Sequence, residues 1–84
     1  MHAWMDAFAY KITNMKHDLR TLRQDRGFTG PALAAAVGVH YSSISRIERG
    51  LVVPGVRVAM RIAEVLGVPV DAIEWADPSE VRSA

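Results

Sequence analysis

Apolar residues recur along this chain three and four positions apart, and strand-like alternation is nowhere sustained. Ile12, Met15, Leu19 and Leu22 form one such stripe, which stops near Arg26 because Gly27 follows. Trp4 and Phe8 continue it upstream. The first helix therefore begins either as early as Ala3 or at Thr13–Asn14, whose side chains can cap a helix. Leu33, Ala34 and Val37 give a second helix its buried face, with Thr29 as cap, Pro31 in the first turn and Gly38 at the end. A third runs from about Tyr41 to Arg49, turns Ile44 and Ile47 inward and stops at Gly50. Val56, Met60, Ala63 and Leu66 mark a fourth, closed by Gly67, and Pro69 opens a short fifth carrying Ile73 and Trp75. The pattern predicts an all-α fold of five short helices. It divides the chain into an N-terminal extension over residues 1–14, a domain over 15–76 and an acidic, flexible tail over 77–84.

Composition narrows the chemistry. The 84 residues, half of them hydrophobic, suffice for one small packed core. With no cysteine there is neither a disulfide framework nor a thiolate metal site, and His2 and His17 lack companions at ligand spacing, so neither metal nor cofactor is expected. No apolar run approaches the roughly 18 residues that span a bilayer, and the N-terminus lacks the pattern of a secretory signal. A cytoplasmic location without membrane contact is expected. The net charge of +1 hides an asymmetry: residues 11–61 carry nine Lys and Arg against three Asp and Glu, whereas residues 62–84 carry one against five. A basic body with an acidic end suits a molecule that meets phosphate on one side. An enzyme is not expected, because the chain lacks a His–Glu metal motif, a phosphate-cradling glycine loop and a base placed to activate a serine.

The stretch from Gly30 to Arg49 is the most informative. Two short helices joined by a tight turn need a small residue where they cross, a glycine able to take positive φ, and apolar anchors for both. Ala34, Gly38, Val39, Ile44 and Ile47 meet those needs, and Tyr41, Ser42, Ser43, Ser45 and Arg46 are left facing outward. The segments LRTLRQDRGFTGPALAAAVGVHYSSISRIERG and VPGVRVAMRIAEVLGVPVDAIEW, with the SRIERG end and the later LGV, resemble the lambda-repressor/Cro (XRE-type) helix-turn-helix family over about residues 19–75.

That resemblance implies a five-helix lambda-repressor-like DNA-binding domain whose third helix enters the major groove of double-stranded DNA. The implied base-contacting residues are Tyr41, Ser42, Ser43 and Arg46. Of these, Arg46 can bind guanine O6 and N7 bidentately, and Tyr41 can pack on a thymine methyl or donate to a phosphate. Thr29, Gly30, His40, Arg49 and Arg26 are the phosphate candidates. Gly30 stands where relatives carry a glutamine, so the backbone N–H groups of the second helix and Thr29 are expected to compensate. His40 occupies the cap of the third helix as a poor cap and a phosphate donor when protonated, which would tighten binding toward pH 6. Relatives pair the residue matching Glu48 with an arginine of the first helix, here Arg23.

Single modules of this kind read only a few base pairs, so a homodimeric repressor on a palindromic operator is expected. Its interface is placed by the resemblance at Val70, Ile73 and Trp75, with Trp4, Met5, Phe8 and Tyr10 as the rival set. The alternative function is an antitoxin or other module that holds a protein partner as well as DNA, with the tail as its contact.

Overall fold

The computed structural model describes residues 16–77. The proposed N-terminal extension, its apolar residues and all but the first residue of the acidic tail lie outside the described residues. A two-residue strand, β1 (His17–Asp18), leads into helices α1 (Leu19–Asp25), α2 (Gly30–Val37), α3 (Tyr41–Glu48) and α4 (Val56–Leu66). A 3₁₀ turn over Val70–Ala72 and strand β2 (Ile73–Glu74) follow.

Local chemistry explains where the helices start and stop. The Thr29 hydroxyl oxygen accepts the Ala32 N–H at 3.1 Å, and Pro31 sits in the first turn where no N–H is needed. Gly38 ends α2 at φ 91°, a left-handed conformation that lets the N–H groups of Gly38 and Val39 both donate to the Ala34 carbonyl, at 2.8 and 3.0 Å. Ala34 itself is buried at the α2–α3 crossing. Leu19 and Leu22 of α1, Leu33, Ala34 and Val37 of α2, Ile44 and Ile47 of α3, and Ile62, Ala63 and Leu66 of α4 form one core, closed by Val68 and Ile73.

The first helix, expected to begin at Ala3 or at Thr13–Asn14, begins instead at Leu19, because His17–Asp18 is extended strand. Two further sequence expectations need correction. No fifth α-helix follows Pro69 among the described residues. The chain makes only the three-residue 3₁₀ turn, and Ile73 then becomes a strand residue. β2 pairs in parallel with β1, setting His17 opposite Ile73 and Asp18 opposite Glu74. The second correction concerns α4, whose buried stripe is Ala59, Ile62, Ala63 and Leu66. Val56 and Met60, read as core, are 77% and 58% exposed. Met60 stands six residues before Leu66, which rotates it about 120° around the helix, off the buried face.

Candidate nucleic-acid interface

With Ile44 and Ile47 held in the core, α3 turns its opposite side outward. Ser42, Arg46 and Arg49 are exposed and follow one another four and three residues apart, so they form a single ridge along the helix. Tyr41 and Ser43 flank it, each about 100° from Ser42. Tyr41 is exposed, whereas Ser43 is half-buried and offers less of its side chain.

His40 caps α3, contrary to the expectation of a poor cap. Its Nδ1 accepts the Ser42 backbone N–H at 3.1 Å and lies 2.9 Å from the Ser42 hydroxyl. A ring accepting on Nδ1 carries its proton on Nε2. Donation to a phosphate then falls to Nε2.

Helix α3 is fastened to α1 by charge. Arg23 Nε and Nη2 donate to the two Glu48 carboxylate oxygens at 2.6 and 3.3 Å. Arg23 Nη1 donates to the Phe28 carbonyl at 2.9 Å, so one guanidinium ties α1 to α3 and to the loop entering α2. The side chains are only 12% and 6% exposed. The hydrogen bond that Arg23 donates to Glu48 raises the Arg23 pKa above its ordinary value, outweighing the opposing effect of burial, and the cation persists throughout the workable pH range. Arg20, which sequence reasoning did not single out, adds a longer 3.4 Å contact to Glu48 from a side chain 56% exposed. Its position one turn before Arg23 on the same face was the available signal.

The N-terminus of α2 offers fewer donors than expected. Thr29 accepts the Ala32 N–H through its side chain and the Leu33 N–H through its carbonyl, at 2.9 Å, and Pro31 has none. Gly30 is covered by the ring of Tyr41, a contact between the first residues of α2 and α3 that sequence reasoning also missed. Arg49 lies exposed at the end of α3, and Arg26 lies half-buried at the end of α1.

The residues assigned to a dimer contact separate. Ile73 is fully buried inside its own protomer and has no side-chain surface left for a second copy. Trp75 packs half-buried against the core and donates its indole N–H to the Val70 carbonyl at 3.1 Å. Val70 is exposed. Among the described residues no three His, Asp or Glu side chains come together as a metal site, and no helix is long and apolar enough to cross a membrane.

A relative 27% identical over 63 residues, covering 75% of this chain and 96% of its own length, is an uncharacterized HTH-type transcriptional regulator, YgzD of Bacillus subtilis (strain 168). No solved structure matches the chain significantly. The family described as "Helix-turn-helix domain" matches residues 17–76, which include the four α-helices of the described residues and the ridge on α3. The chain belongs to the helix-turn-helix domain family of DNA-binding proteins, as an XRE-like member.

Proposed function

We propose that this chain is a sequence-specific DNA-binding transcriptional regulator, acting as a homodimeric repressor on a palindromic operator. The observation that carries this reading is the α3 ridge. Ser42, Arg46 and Arg49 project from a helix whose other side is locked into the core and whose end is fastened by the Arg23–Glu48 pair. A guanidinium held on a rigid helix suits bidentate recognition of guanine in the major groove, and Arg46 has that role. Ser42 and Ser43 supplement it through hydroxyl oxygens. Arg49, Thr29, Arg26 and the Nε2–H of His40 contact phosphates and set the register. Val70 and the outer part of Trp75 form the contact between copies, joined by no contribution from Ile73.

The test compares Arg46→Ala and Arg49→Ala on duplexes enriched by in vitro selection. Loss of Arg46 abolishes discrimination at one base pair, worth about 1–3 kcal/mol, whereas loss of Arg49 weakens all duplexes alike. Equal behaviour of the two variants contradicts the assignment.

A further inference from the structure

Tyr41 and Gly30 are eleven residues apart but touch, and the ring lies in the space that a side chain at residue 30 would take. A Cβ added there would overlap Tyr41 Cε1 and stand 3.2 Å from Cδ1 and 3.5 Å from Cζ. All three nearest atoms belong to that ring. Gly30 is not among the glycines with positive φ, so conformational freedom does not require it. Space decides where the ring lies: a methyl at 30 would displace the phenol at 41 from this position. The three atoms show that the ring turns its Cδ1–Cε1 edge to Gly30, with Cε1 nearest.

We propose that Gly30 and Tyr41 are a matched pair that clamps the tyrosine as a sequence-neutral contact to the DNA backbone, not a base reader. The inference rests on the DNA-binding reading above. The contact seats the ring edge against the first residue of α2, about 100° around α3 from the Ser42 end of the reading ridge. Tyr41 remains 49% exposed there, so its hydroxyl stays accessible as a donor. Side-chain donation matters at this place because Thr29 and Pro31 leave the first turn of α2 with little beyond the Gly30 N–H. A phenol donating to a phosphate oxygen gains affinity without distinguishing one base pair from another.

The experiment uses the whole chain and its Tyr41→Phe, Gly30→Ala, Tyr41→Ala and Gly30→Ala/Tyr41→Ala variants. The probes are the best-enriched duplex from in vitro selection and a random-sequence duplex of equal length at low salt. Tyr41→Phe should weaken both by the same factor, about tenfold, and leave the preference at every base pair unchanged. Gly30→Ala should weaken binding only in the presence of Tyr41, and should be less favourable to the melting temperature with Tyr41 than in the Tyr41→Ala background. A changed preference at one base pair on Tyr41→Phe, or undiminished affinity, overturns the backbone contact. Equal effects of Gly30→Ala in both backgrounds overturn the pairing. The melting cycle contains no DNA, so it decides the pairing separately, whereas failure of the unaltered chain to bind either duplex overturns the DNA reading itself.

Discussion

A carboxylate almost without solvent needs its charge answered by neighbours, and Glu48 receives two N–H groups of Arg23 and a weaker contact from Arg20. Removing it strands a guanidinium that is itself mostly buried. Glu48→Ala is therefore expected to cost roughly 3–5 kcal/mol, lowering the melting temperature by more than about 10 °C. A melt unchanged within experimental error would show the pair to be screened by solvent. Arg23→Lys should also destabilise, because an ammonium cannot hold both carboxylate oxygens and the Phe28 carbonyl in the same geometry. His40 carries a smaller share. His40→Ala removes the side-chain cap of α3 and should cost about 1 kcal/mol in urea unfolding, with His40→Asn restoring most of it. Equal stability of the alanine and asparagine variants would contradict the cap.

At the scale of elements, signals carried by neighbouring residues were legible in the sequence and signals carried across the fold were not. Thr29, Pro31 and Gly38 bound α2 through bonds that span a few residues, so residue type and spacing are enough to locate them. Ile44 and Ile47 likewise define the inner side of α3 and leave the Arg46 side outward. The α4 stripe was misread because Val56 and Met60 are apolar at helical spacing, while the small Ala59 occupies the buried face that α2 and α3 leave open. Spacing alone cannot tell which of two apolar rows a neighbour will cover. The short β1–β2 pairing joins residues more than fifty positions apart, and the Gly30–Tyr41 contact depends on two helices crossing; neither leaves a local pattern. The position of α4 yields a test of its own. Met60→Glu should leave the melting temperature nearly unchanged, whereas Ile62→Ala should cost about 2–5 kcal/mol.

For the whole molecule, the parallel pair brings His17 and Ile73 together and closes the helical core with the C-terminal strand. Ile73 is thereby consumed within the protomer, and the proposed contact between copies falls to Val70 and the accessible part of Trp75. In sedimentation measurements the chain should behave as a dimer at micromolar concentration, and Val70→Glu should shift it to monomer while preserving the fold. A monomer produced by Met60→Glu instead would move the contact to α4. The positive charge of residues 11–61 predicts binding that weakens steeply with salt, each neutralised phosphate adding about −0.9 to the log–log slope. Arg49→Ala should make that slope shallower by about that amount. The central claim is that α3 reads DNA sequence as one half of a two-fold pair, and in vitro selection from a random duplex library tests it most directly. The account predicts an enriched palindrome with half-site centres one helical turn, about 34 Å, apart. Absence of any enriched sequence would contradict it.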